Sequence, residues 1–228
     1  MKKRKNQEIV LGLAIKNNRV AIVDYNLGNV QSILNGFHKI NIDCVLTRSP
    51  SEILGSGACI LPGVGAFAYG MENLIRFDLP EIIEKYVETG KPILGICLGM
   101  QLLMQGSHEF GWTSGLNLIQ GEVRSLSINN HSPVKLPHVS WNEIRPPVSD
   151  RWANTLLSST LPGENVYFVH SYAAVPSNQS EWLSETIYDE IKFCSAVQSR
   201  NIIGVQFHPE KSGGTGLRIL RKFADLMF

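Results

Sequence analysis

Short runs of consecutive apolar residues recur through the first hundred positions, and between them the apolar residues fall three and four apart. RVAIVDY (19–25), DCVLTR (43–48), ACILPG (58–63) and KPILGI (91–96) show little polar alternation, which is the pattern of strands buried on both faces. Residues 28–40 place Val30, Ile33, Leu34 and Phe37 on one helical face, and PEIIEKYVETG (80–90) repeats that spacing. Buried strands that alternate with amphipathic helices imply a parallel sheet covered on both sides. Beyond about residue 120 the pattern changes: GEVRSLSI (121–128), SWNEIRPP (140–147), ENVYFVHSY (164–172), IKFCSAVQ (191–198) and IIGVQFH (202–208) read as strands joined by turns, followed by a terminal helix over 215–227. The expected fold is α/β, a single domain over 19–228 whose mostly parallel central sheet is flanked by helices and carries an antiparallel extension. Residues 1–18 form an N-terminal arm of unassigned role.

Length and composition narrow the setting. A chain of 228 residues has enough length for one sizeable core and little room for two. No apolar run approaches the twenty or so residues needed to cross a bilayer. The 21 basic and 20 acidic residues are interspersed apart from Lys2, Lys3, Arg4 and Lys5, which argues against a nucleic-acid surface. The opening MKKRKNQEIVLGLAIKNN imitates an export signal, but its apolar centre is about seven residues long, Glu8 and Lys16 flank it, and no small-residue cleavage site follows. A cytoplasmic protein is expected. Three of the four cysteines, Cys44, Cys59 and Cys194, sit in apolar stretches with no CxxC pair and read as reduced core thiols. There is no P-loop, no GxGxxG fingerprint and no metal-ligand spacing, so neither a cofactor nor a metal is expected.

The fourth cysteine stands where KPILGI ends. GICLG (95–99) has the spacing of a nucleophile elbow, a tight strand-to-helix turn that holds the nucleophile in a strained conformation while glycines let neighbouring backbone approach. The helix beginning at Leu98 would aim its first amides at the sulfur and favour a thiolate. A buried cysteine between two glycines fits the same letters, and the motif alone does not decide. QFHPEK (206–211) shifts the balance, because a strand ending at His208 with Glu210 two residues on can offer an imidazole and a carboxylate at the same sheet edge. A cysteine nucleophile needs such a base, and the base needs a group that orients it.

These motifs resemble the class I, triad-type glutamine amidotransferases, with G-x-C-x-G at the elbow and H-P-E in the second motif. Within that family VDYNLGNVQSI (23–33), LPGVGAF (61–67), GICLGMQLL (95–103), PHVSWN (137–142), YFVHSY (167–172) and IGVQFHPEKS (203–212) look like the glutaminase subunits of imidazole glycerol phosphate synthase. The resemblance implies glutamine hydrolysis through a γ-glutamyl thioester on Cys97, with His208 as acid and base and Glu210 orienting it. It also implies oxyanion donors at the amides of Leu98 and Val64, the Val64 peptide flipping into place when the partner binds its ligand. By the same resemblance Gly63, Gln101 and Glu109 hold the glutamine, together with the backbone around His170, Ser171 and Tyr172.

The chain thus looks equipped to release ammonia and not to use it. Free ammonia near neutral pH becomes ammonium, which is no nucleophile, so a partner with a channel is implied. In the resembled synthases it is a (β/α)8-barrel synthase/cyclase subunit that binds a phosphorylated aminoimidazole carboxamide ribonucleotide, forming a heterodimer, with Trp141, Asn142 and Lys211 near the interface. Two stretches depart from the family: Ser140 stands where glycine is expected, and FGWTSGLNLIQG (110–121) lacks the usual GLGL. They leave open a paralogous barrel that amidates a sugar of surface polysaccharide. A non-catalytic or peptidase-like member of the fold is the reading from another class.

Overall fold

The four apolar runs between residues 19 and 96 become strands of one sheet. The structure, a computed structural model, describes residues 19–127 and 134–227. In chain order, β1 (Val20–Val23), α1 (Val30–Lys39), β2 (Cys44–Thr47), α2 (Pro50–Gly55), β3 (Ala58–Leu61), α3 (Phe67–Arg76), α4 (Leu79–Glu88) and β4 (Ile93–Ile96) alternate as the pattern predicts. They are followed by α5 (Leu98–Leu102), β5 (Met104–Ser107), β6 (Thr113–Ser114), β7 (Ile119–Ser125), β8 (His138–Glu143), β9 (Asn165–His170) and β10 (Tyr172–Pro176). Strands β11 (Trp182–Tyr188), β12 (Ile191–Ser199) and β13 (Ile202–Val205) precede α6 (Gly213–Asp225).

The main sheet runs β11-β12-β13-β4-β3-β1-β2. From β13 to β2 all neighbours are parallel, whereas β12 and β11 are antiparallel additions. Two-sided burial explains the unbroken apolar runs. Along β1, Val20 and Ile22 join one core with Ile33 and Phe37 of α1 and Leu220 and Phe223 of α6. Ala21 and Val23 join the other core, with Leu74 of α3 and Ile83 and Tyr86 of α4. Each such Ile or Phe, fully buried, stabilises the fold by about 1.5–3 kcal/mol. On α6 the buried positions Gly216, Ile219, Leu220, Phe223 and Ala224 form the stripe expected of a helix laid on a sheet. The α1–α6 contact is close enough that a Cβ on Gly36 would come 2.8 Å from Leu220 Cδ1.

The second half differs from expectation in how its strands are shared out. Only β11 and β12 form the antiparallel extension, while IIGV, read with the turn-linked strands, is the parallel strand β13 beside β4. GEVRSLSI becomes β7 of a separate four-stranded sheet, β10-β7-β5-β6, and its residue 128 lies outside the described residues. SWNEIRPP becomes β8, paired with β9 in a two-stranded ribbon. ENVYFVHSY is two strands broken at Ser171, because β9 pairs with β8 and β10 with β7. Local alternation cannot tell these pairings apart, since each buries one face of its strand. Residues 1–18, read as an arm, lie outside the described residues.

Candidate active site

Parallel pairing on both sides of β4 places three carboxyl ends side by side, the edge at which open α/β sheets bind ligands. Ile96 is in register with Val205 of β13, and Gly95 with Leu61 of β3. Residues that leave β13 and residues that leave β3 therefore flank Cys97, whose amide donates to Val205 O at 2.8 Å. Cys97 itself adopts φ 55° and ψ −110°. A non-glycine residue there is strained and persists only because its surroundings enforce it. Its neighbours enforce it by close approach. A Cβ on Gly95 would lie 2.6 Å from Gly99 O, and one on Gly99 only 1.8 Å from Leu61 O.

His208 sits two residues past Gln206 on the chain leaving β13, with its side chain 2% exposed and that of Glu210 1%. Nδ1 of His208 lies 2.8 Å from Glu210 Oε1. A carboxylate only accepts, so the Nδ1 proton is held there and Nε2 faces the nucleophile's side. Burial disfavours the imidazolium, but hydrogen bonding and charge from Cys97 and Glu210 outweigh it and lift His208 to about 9. Its turn is clamped at the backbone: His208 N donates to Tyr167 O (2.9 Å), and Ser212 Oγ donates to His208 O (2.6 Å). The other three cysteines are free and buried. Burial pushes their thiols up, that of Cys59 to about 12.

Cys97 opens into a cleft of about 290 Å³ lined by Val64, Gly65, Leu98, Gln101, Glu109, Pro137, Val169, His170, Ser171 and Tyr172. Seven of the sequence-derived positions other than the triad thus meet here: Val64, Leu98, Gln101, Glu109, His170, Ser171 and Tyr172. Val64, 36% exposed, stands at the rim. Gly63 lies behind the lining, where a Cβ would stand 2.6 Å from Tyr25 Oη and 2.8 Å from Leu98 Cβ, so its smallness serves the packing of the 62–65 loop on α5. Tyr25, unremarked in the sequence, donates its buried hydroxyl to Pro62 O and anchors that loop. Glu109 Oε2 accepts from Phe67 N at 2.6 Å, at the amino end of α3. A larger hollow of about 600 Å³, beside Arg151, Trp182, Glu185 and Lys192, has no cysteine or histidine in its lining.

The back wall is a hydrogen-bond chain with a fixed polarity. Tyr172 O can only accept, and it faces His170 Nδ1 at 2.8 Å. His170 Nε2 is then the acceptor for His138 Nδ1–H at 3.0 Å, and His138 Nε2 accepts from Ser140 Oγ at 2.8 Å. Both imidazoles are neutral: burial depresses His138 to about 4 and His170 to about 3. Ser140, which stands where glycine is expected, therefore has a partner. Signals for His138 and Gln206 were present in PHVSWN and QFHPEK, as polar residues at positions whose neighbours are apolar or functional, but neither motif states which side chains meet.

Trp141 is 54% exposed, with its ring edge-on to Tyr167 at 6.1 Å, and Lys211 Nζ lies 5.8 Å over the same Tyr167 ring. Asn142, half-buried, donates to Ile187 O at 2.9 Å. Among the described residues no group of three or more His, Cys, Asp or Glu is placed to hold a metal ion, and no helix is long and apolar enough to cross a membrane.

A cysteine elbow with a buried imidazole–carboxylate pair just beyond the end of the adjoining parallel strand is the layout of a cysteine-dependent amide hydrolase. Residues 21–226 match the family model of the class-I glutamine amidotransferases, and the chain belongs to that family. It is 41% identical over 212 residues to "Imidazole glycerol phosphate synthase subunit HisH 1" of Legionella pneumophila (strain Paris), covering 91% of this chain and 99% of that protein. It is 39% identical over 215 residues to the HisH subunit of Geobacter sulfurreducens, covering 91% and 99%. A crystal structure described as a glutamine amidotransferase shares the fold, with a TM-score of 0.68 at 16% identity over 91% of this chain and 98% of that one.

Proposed function

We propose that this chain is the glutaminase subunit of an imidazole glycerol phosphate synthase in histidine biosynthesis, working in the cytoplasm as a heterodimer with a (β/α)8-barrel subunit that receives the ammonia. The observation that carries the reading is the pair His208–Glu210, buried and 2.8 Å apart, just past the end of the strand next to the strained Cys97. The pathway rests on the relatives named HisH, about 40% identical over nearly their whole length. A cleft of about 290 Å³ suits a free amino acid better than a peptide strand, which argues against peptidase chemistry.

In the proposed reaction the Cys97 thiolate attacks Cδ of glutamine, and the carbonyl electrons move onto oxygen, where the Leu98 amide and, after a flip, the Val64 amide stabilise them. The imidazolium of His208 protonates the amide nitrogen as the C–N bond breaks, and ammonia leaves. Neutral His208 then takes a proton from water, which adds to the thioester; the C–S bond breaks and glutamate and thiolate are regenerated. Glu210 keeps Nδ1 protonated throughout. Gln101 has both amide protons committed to Tyr172 O and Gln206 Oε1, each at 3.0 Å, so it meets the substrate with its oxygen, an acceptor for the α-ammonium group. Exposed Trp141 and half-buried Lys211, with Asn142, are assigned to the partner interface in this reading.

The test pairs Cys97→Ala with complementation. Glutamate release should disappear, while the variant's complex with the barrel should still use ammonium salts at alkaline pH. Wild type plus its barrel should restore growth without histidine to a bacterium lacking its own glutaminase subunit. Hydrolysis persisting above a few per cent in the variant removes Cys97 from the mechanism. A complex that hydrolyses glutamine but cannot rescue points to a sugar-acid acceptor.

A further inference from the structure

We propose that Gln206 is a positioning residue for the nucleophile: its side-chain amide donates to the Cys97 sulfur and favours the thiolate, in an orientation dictated by Gln101. The inference rests on the reading of Cys97 as nucleophile. Gln206 is completely buried, and its backbone amide is tied to Ser195 O at 2.9 Å. A carboxamide in that position is costly unless its groups are satisfied, and a methionine or leucine would fill the same space without that cost.

The partners decide which end of the amide faces sulfur. Tyr172 O accepts from Gln101 Nε2 at 3.0 Å, so the nitrogen of Gln101 is fixed on that side by an atom that cannot donate. The second proton of the same nitrogen points to Gln206, 3.0 Å away, and only an oxygen can receive it. Oε1 of Gln206 is thus assigned, and Nε2 is left directed at Cys97 Sγ at 3.7 Å. Sulfur is a weak acceptor as a thiol and a strong one as a thiolate, so this contact stabilises the charged form more than the neutral one. It acts again when the thioester breaks and sulfur recovers its charge. His208 supplies the proton transfers; Gln206 contributes a fixed dipole that neither gains nor loses a proton. One side chain thereby joins the nucleophile to the residue that meets the substrate.

The readout is the pH dependence of iodoacetamide alkylation at Cys97, followed by peptide mapping on the full chain in complex with its barrel. In Gln206→Met the midpoint of thiolate formation should rise by about one pH unit, the worth of one hydrogen bond to a charged group. Glutamine kcat should fall about tenfold or more. Gln206→Glu keeps the volume and the acceptor for Gln101 but turns a carboxylate oxygen toward sulfur. Its midpoint should rise further than in Gln206→Met, whereas a merely structural role predicts the glutamate variant to be the milder one. A midpoint within about 0.3 of wild type in Gln206→Met, or in Gln206→Glu should the methionine variant not fold, overturns the proposal. Hydrolysis that survives Cys97→Ala would overturn the nucleophile reading instead, and the sulfur titration would remain interpretable on its own.

Discussion

Replacing Gly99 by alanine tests the nucleophile elbow at its tightest point. The added Cβ would stand 1.8 Å from Leu61 O and 2.8 Å from Leu61 C, both backbone atoms that no rotamer change can move aside. Carbon–oxygen contacts between packed backbones settle near about 3.3 Å, so the first turn of α5 and the end of β3 must part by roughly 1.5 Å. Overpacking of this kind costs about 1–3 kcal/mol, a fall in Tm of roughly 2–12 °C for a chain of this size, which leaves the variant folded at room temperature. Catalysis is more sensitive. Leu98 and Val64, the two amides proposed to hold the oxyanion, stand on opposite sides of the widened contact, and a 1 Å misplacement alone is worth about a hundredfold. Glutaminase kcat of the complex should therefore fall by about 10² or more while the circular dichroism spectrum stays native. Gly55→Ala, where an added Cβ meets nothing within 4 Å, is the control and should leave both measurements unchanged. If Gly99→Ala melts within a degree of wild type and keeps its kcat within threefold, the elbow does not depend on this close approach.

Two further outcomes follow from the titrating groups. Glu210→Gln removes the carboxylate that holds the Nδ1 proton of His208, so kcat should fall by about 10²–10⁴ with KM changed only a few fold; an equal loss through KM alone would deny Glu210 its orienting role. His138 and His170 are neutral in the folded protein, with values near 4 and 3, whereas an unfolded imidazole takes its proton near 6.5. The contribution of these two histidines to stability is accordingly complete above 6.5 and declines as the pH falls toward 4, because the unfolded chain binds protons that the folded one refuses. In denaturant titrations His138→Gln should lose a substantial part of that slope, and an unaltered slope would contradict the assignment.

The strands of the first half were legible because two-sided burial writes itself into consecutive residues: Val20 to Val23 alternate between two cores and therefore read as one apolar run. GICLG and QFHPEK were legible as chemistry for a similar reason, each being local. One-sided strands were harder. β7, β8 and β10 belong to two small sheets and not to the main one, and nothing in their own alternation names a partner. At Gly63 the structure shows close packing on Tyr25 and Leu98, a reason for glycine that the sequence could not separate from a place beside the ligand.

By itself, then, the sequence determined the α/β class, the order of the early elements, and which cysteine, histidine and glutamate to propose for the chemistry, because periodicity and short motifs are properties of neighbouring residues. The tertiary structure alone decided that β13 runs parallel beside β4, which brings residues 97 and 208 to one edge. It alone decided that Gln206, Gln101, Tyr172, His170, His138 and Ser140 form one hydrogen-bonded line behind the nucleophile. Contacts across 105 residues depend on strand register and on the direction in which each polar group must donate, and neither is encoded at a single position of the chain.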